Sequence, residues 1–206
     1  MSSIVVAGDS SGSITIAAPA VAGSGTLTLP VATDTLIGKA TTDTLTNKSI
    51  AATQLTGTIA AAALPAGTVL QVVSVTATAV VSNSTSTFAD TGLTATITPR
   101  STSSKILVLM SHAGCGKETG NTALQIKLLR GATQIMYVED LGGYTGTTAN
   151  IFIGSVSANY LDSPATTSAT TYKSQLASRA AIAVVYVNNY GSVGAASTIT
   201  LMEIQG

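Results

Sequence analysis

Charge is scarce in this chain. Only 9% of its 206 residues are Asp, Glu, Lys or Arg, nine of each sign, and the formal net charge is zero. A nucleic-acid surface works by neutralising several phosphates, so this balance speaks against nucleic acid as a partner. A chain held open by its own charge is excluded too, because 45% of the residues are hydrophobic. Cysteine occurs once, at Cys115, which rules out an intrachain disulfide and a cysteine-based zinc site and fits assembly in a reducing compartment. The opening MSSIVVAGDSSGS has neither a basic start nor a long apolar core, so no secretory signal is expected. The longest uncharged apolar run, residues 59–65, falls far short of the about 20 residues of a membrane helix, and no membrane insertion is expected.

Aromatic residues are absent before Phe88, and both Phe and all six Tyr lie between positions 88 and 190. Because one aromatic side chain buries about 150–250 Å², the first third of the chain lacks the means to build a core of its own. What is present is Ser, Thr, Ala, Val, Ile and Leu, a palette suited to pleated sheet, since branched side chains are stiff at χ1 and pack well across strands. The expected class is all-β.

Residues 1–37 read as a short N-terminal β module. SIVVA, SITIA and TLTL are short strands with side chains alternating between two faces, separated by turn residues. Such strands leave edges unpaired and bury little apolar area, so they call for a partner surface. In residues 38–67 the apolar anchors Leu45, Ile50, Leu55, Ile59 and Leu64 stand singly at gaps near five, neither helical nor strand spacing. From residue 68 onward, about ten β-prone stretches (69–81, 85–88, 93–98, 105–111, 122–129, 134–138, 150–157, 171–176, 181–188 and 197–204) alternate with turn signals such as LGGYTG and NNYGSVG. They predict a β-sandwich, most simply of jelly-roll type.

Three features invite a chemical reading. SHAGCGKET places Gly116 and Lys117 together, but a phosphate loop needs a glycine where Ser111 stands and a Ser or Thr where Glu118 stands, so a surface loop after the 106–110 strand is expected instead. His112 and Cys115 are three residues apart, short of a nucleophile with base and orienting group and of a four-ligand zinc site; a strand-end histidine and a buried cysteine are expected. Among the carboxylates Glu139 and Asp140 are neighbours that point to opposite faces of a strand, and Asp162 before Ser163 and Pro164 reads as a turn residue, so no glycosidase pair is recognisable. No catalytic residue, metal ligand or cofactor is assigned. Tyr144, Tyr160 and Tyr190 sit near predicted turns and are the candidate receptor contacts, a ring and a hydroxyl offered to a sugar or protein, whereas Tyr137 and Tyr186 fall inside strands.

The chain resembles the fibre and knob proteins of tailed bacteriophages, especially those of cyanobacterial and marine phages. GSITIAAPAVAGSGTLTLPVATDTLIG is similar to a β module that opens many such chains, TTDTLTNKSI to the segment that follows it, and LTGTIAAAALPAGTVLQVV to a neck leading into a head domain. ITPRSTSSKILVLMS and STITLMEIQG resemble the knob domains of the same proteins. The resemblance implies a non-enzymatic virion protein assembled in the host cytoplasm: a homotrimeric short fibre, at the tail or near the baseplate, whose N-terminal part attaches to other virion proteins and whose knob faces outward. A glycan-binding adhesin and a capsid decoration or head fibre are the alternatives. In this setting AATQLTGTIAAAALPAGT is a trimeric neck. Six residues between Gly57 and Pro65 are too few for an isolated helix, and a flexible linker has no use for Leu55, Ile59 and Leu64, whereas three copies about an axis supply the missing core.

Overall fold

The structure is a computed structural model that describes residues 3–7, 11–17, 24, 49–51, 53, 57, 59–147, 151–181, 183–190 and 193–206. The chain divides into two compact units, Met1–Thr56 and Gly57–Gly206. In the first, β1 (Ser3–Ala7) and β2 (Ser13–Ala17) form an antiparallel ribbon in which Ser3 faces Ala17 and Ala7 faces Ser13. Ile4, Val5, Val6 and Ile16 are 67%, 60%, 56% and 53% exposed, so apolar side chains stand in the open on both faces of the ribbon. The third expected strand, TLTL, lies outside the described residues.

The second unit is built from strands, as the composition predicts. They are β3 (Val69–Ala77), β4 (Val81–Asn83), β5 (Ala89–Ile97), β6 (Lys105–Lys117), β7 (Leu124–Arg130), β8 (Thr133–Gly142), β9 (Ile151–Asp162), β10 (Thr170–Ser178), β11 (Val185–Val187), the short pair β12 (Asn189–Tyr190) and β13 (Val193–Gly194), and β14 (Ser197–Ile204). One sheet has the order β5-β10-β7-β8. The other runs β3-β14-β6-β11-β4, with β9 also on β6. Period-two alternation decides which side of each strand turns inward: Leu93, Ala95 and Ile97 of β5 are buried while Thr94 and Thr96 are exposed. Inward residues of both sheets, among them Ile106, Val108, Leu128, Tyr172, Leu176, Ile199 and Leu201, make one core between the sheets.

The spine of the larger sheet is β6. Along one edge it pairs with β9 over its length; along the other it pairs first with β14 and then, at Gly116 and Lys117, with β11. At the changeover Gly114 takes a positive φ of +56°, and its Cα lies so close to Asn189 and Ala195 that a Cβ would stand 2.7 Å from the Asn189 N and 2.9 Å from the Ala195 Cβ. This is a place only glycine fills without strain.

Several boundaries differ from the sequence reading. The 69–81 stretch breaks into β3 and β4, and 181–188 narrows to Val185–Val187. Residues 85–88 are a turn rather than a strand: the Asn83 Oδ1 accepts from the Thr85 N at 2.8 Å while the Asn83 Nδ2 donates to the Thr87 O at 2.8 Å, an arrangement that captures the backbone before it can pair. The alanine run holds a single 3-10 turn, Ala61–Ala63, closed by the Ala63 N donating to the Ala60 O at 2.9 Å. The chain then joins the sandwich beside its own C-terminal end, with the Gly67 N donating to the Gln205 O and the Gln205 N to the Thr68 O, both at 2.8 Å.

Candidate functional site

The expected surface loop at SHAGCGKET is instead the second half of β6, and His112, Cys115 and Lys117 are fully buried. The sequence reading failed because a run of Gly, His and Ser looks like loop. Register shifts around Cys115 let the strand continue through it, and partners on distant strands satisfy the polar groups. His112 is mid-strand rather than at a strand end. Its Nε2 lies 2.9 Å from the Ser174 Oγ of β10, in the opposite sheet, and its Nδ1 lies 3.1 Å from the Ser197 Oγ of β14.

The donors of this network can be assigned. The Ser197 hydroxyl donates to the Asn188 Oδ1, so the His112 Nδ1 must carry the proton and donate to Ser197, and the Nε2 accepts from Ser174. Thr91 Oγ1, 2.6 Å from the Ser174 Oγ, donates to it and accepts from the Leu93 N at 3.1 Å, while the Asn188 Nδ2 donates to the Ala79 O at 2.8 Å. One directed chain of hydrogen bonds thus crosses the core from β5 to the β3–β4 connection. A serine against a histidine suggests a nucleophile and base, but both residues are wholly enclosed, and the arrangement joins the two sheets. Burial lowers the His112 pKa to about 4, which keeps the ring neutral, and pushes the Cys115 thiol up to about 12 despite an opposing backbone hydrogen bond from Val156.

Lys117 is enclosed, and among the described residues no carboxylate forms an ion pair with it. Its Nζ donates to the Thr122 O at 3.2 Å and the Thr145 Oγ1 at 2.7 Å and lies 6.0 Å from the centre of the Tyr144 ring, and burial lowers its pKa. The carboxylates examined as a catalytic pair are occupied elsewhere. Asp162 ends β9 rather than forming a turn; it accepts from the Arg130 Nη1 at 2.9 and 2.8 Å and from the Tyr172 hydroxyl at 2.7 Å. Glu203 is fully buried. Burial by itself would raise its pKa, but hydrogen bonds from Ser104 (2.7 Å), Gln71 (2.5 Å) and the Arg100 N (2.6 Å) outweigh that and hold it low. Glu139 is half-buried, and its Oε1 accepts from the Asp140 and Leu141 backbone N–H groups at 3.1 and 3.0 Å. Among the described residues no three His, Cys, Asp or Glu side chains gather as a metal site.

The candidate receptor tyrosines stand on separate elements. Tyr144 follows β8 and is 53% exposed. Tyr160 lies within β9, half-buried against the core, rather than in a turn. Tyr190 belongs to β12, and its side chain lies outside what is described. Tyr137 and Tyr186 lie inside strands as expected; Tyr137 is exposed and meets Phe88 edge-on at 5.9 Å, whereas Tyr186 is buried. Of the neck residues, Leu45 and Leu55 lie outside the described residues, Ile50 and Ile59 are 46% and 52% exposed, and Leu64 is half-buried.

Sequence reasoning missed a contrast between the sandwich's two outer faces. The β5-β10-β7-β8 face is laced with charge: Lys173 pairs with Asp90 at 2.9 Å, Arg179 with Asp140 at 3.3 Å, and the Lys127 ammonium sits 4.1 Å above the Phe88 ring. The hydrogen bonds from Lys173 and Gln175 hold Asp90 below the usual carboxylate range. The other outer face is almost uncharged. Register places Val72, Met202, Leu107 and Leu161 in one row across β3, β14, β6 and β9. The next row is Ser74, Thr200, Leu109 and Asn159, and the third is Thr76, Thr198, Ser111 and Ser157. Hydroxyls pair across strands within these rows, Ser74 with Thr200 at 3.0 Å and Ser157 with Ser111 at 2.9 Å, and the middle of the face dips into a shallow trough of about 320 Å³. No protein-family model matches the chain, and no curated protein is significantly similar to it.

Proposed function

We propose that the chain is a non-enzymatic structural protein of a bacteriophage virion, a short homotrimeric fibre with an attaching N-terminal part, a neck and an outward knob. The carrying observation is the unequal distribution of core. The β1–β2 ribbon leaves Ile4, Val5, Val6 and Ile16 more than half exposed, while the second unit has a complete core between two sheets. A two-stranded ribbon is at best marginal in water, so these residues are matched to a surface that other chains provide, namely virion proteins for the ribbon and sister copies for the neck. The knob is read as a jelly roll: the order β5-β10-β7-β8 against β3-β14-β6-β9, with the chain crossing between the sheets at β5, β6, β7, β9, β10 and β11, supports that reading.

Light scattering on the native chain tests this, with a trimeric mass expected and a monomer refuting it. The double variant Leu55→Asp, Leu64→Asp is expected to weaken the trimer, and unchanged trimer stability would remove the neck. A second reading, a knob that binds host glycan, is favoured by exposed Tyr144; Tyr144→Ala with unaltered adsorption to host cells would withdraw that residue. A head fibre or decoration differs only in location, which electron microscopy of particles would reveal.

A further inference from the structure

We infer that the uncharged outer face of β3, β14, β6 and β9 is where copies of the knob meet one another, with the row Val72–Met202–Leu107–Leu161 at the centre of the contact. The inference rests on the homotrimer reading and specifies the surface. Val72 and Leu161 are 54% and 52% exposed, yet lie in register with Met202 and Leu107, so four strands present a continuous apolar band rather than scattered apolar residues. Among the described residues of these four strands, Lys105 is the charged side chain that borders the rows, at their rim. A charged face opposed to its own copy suffers like-charge repulsion, as the Asp90–Lys173 side of the sandwich would in many registers; a neutral face accepts its copy at no such cost.

The choice of occupant follows from what the face offers. A neutral sugar is ordinarily held against an aromatic ring, and the three rows carry none; the exposed ring of β9, Phe152, stands opposite Gly116 beyond them, and Phe88 and Tyr137 meet beside the other sheet. Area points the same way. Four strands about 4.8 Å apart, each showing three residues about 6.8 Å apart, present about 400 Å². A stable interface takes about 800 Å² per partner, so the face needs a second contact beside it. Continuity supplies one: residues 59–68 lead directly into β3, the edge strand of this face, and Val69, 48% exposed, stands opposite Ile204 where β3 begins. Residues 59–69 and the face together form one interface about a common axis.

The test uses the full-length chain and the double variant Leu107→Glu, Leu161→Glu, with Thr96→Glu as the opposite-face control, each followed by light scattering through a dilution series. The expected result is a trimer whose association constant drops at least about a hundredfold in the double variant and stays unchanged in the control, the scale of like charges forced together. Peroxide oxidation of Met202 in the unmodified chain gives a second readout that needs no variant: it is slow in the assembled protein and fast after dilution to the monomer. A wild-type trimer whose double variant dissociates normally, with Met202 oxidising equally in both states, overturns this surface and leaves the neck standing. A monomeric wild-type protein overturns both, as does a monomer that binds neutral glycans through this face.

Discussion

Acid provides the sharpest probe of the core. His112 is enclosed, with its two ring nitrogens engaged by Ser174 and Ser197, and burial lowers its pKa from 6.5 to about 4. Between those values the unfolded chain binds the proton and the folded chain does not. Stability therefore rises with pH through this window: the contribution is complete above about pH 6.5 and is lost as pH falls toward 4. With one unit worth about 1.4 kcal/mol, the wild-type protein should lose about 2.5 kcal/mol between pH 7.5 and 4.5 from this residue. Urea unfolding at fixed protein concentration across that range measures it, and His112→Gln, which cannot titrate, isolates it from Glu203 and Asp90, whose hydrogen-bonded carboxylates lose stability only at more acid pH. Nitrogen NMR of the imidazole should show the proton on Nδ1 at neutral pH, the tautomer the hydroxyl chain requires. A wild-type pH slope equal to that of His112→Gln, or a ring that titrates near 6.5 in the folded protein, would refute the reasoning.

Two further outcomes follow from single contacts. Gly114→Ala combines a positive φ with a Cβ 2.7 Å from backbone, and should lower unfolding stability by about 2–4 kcal/mol in thermal melts; a loss under about 1 kcal/mol would show that β12 yields freely. Arg130→Ala leaves nearly buried Asp162 with only the Tyr172 hydroxyl and should cost about 2–3 kcal/mol, whereas Tyr172→Phe retains the ion pair and should cost about 1 kcal/mol, and denaturant titrations that reverse this order would contradict the described geometry.

What could be read in advance was whatever depends on neighbours in sequence. Alternation in 93–97 marks a strand and its inward side, because a pleated chain turns successive residues to opposite faces and Leu93, Ala95 and Ile97 alternate there with Thr94 and Thr96. What could not be read depends on partners far along the chain. His112 looked like a strand end because its hydroxyl partners stand 62 and 85 residues away. Asp162 beside Pro164 looked like a turn, and only the fold brings Arg130 to it. The uncharged face was equally hidden, since each of its four strands contributes three ordinary outward residues and the pattern emerges only when register sets Val72 beside Met202 and Leu107 beside Leu161. Asn83 misled in a local way, spending its side chain on the turn that a run of β-prone residues had concealed.

The junction where the chain enters the sandwich beside its own end has a mechanical meaning. Tension arriving along residue 67 enters β3 at the terminus where β14 finishes, and β3 is bound to β14 by eight antiparallel residue pairs, Ser197–Ala77 through Ile204–Val69. A pull along the strand loads those rungs in shear, all at once, instead of peeling them singly. The load passes from β14 to β6, the longest strand among the described residues, so tension entering at residue 67 is spread over the paired strands of this sheet before any loop is stretched.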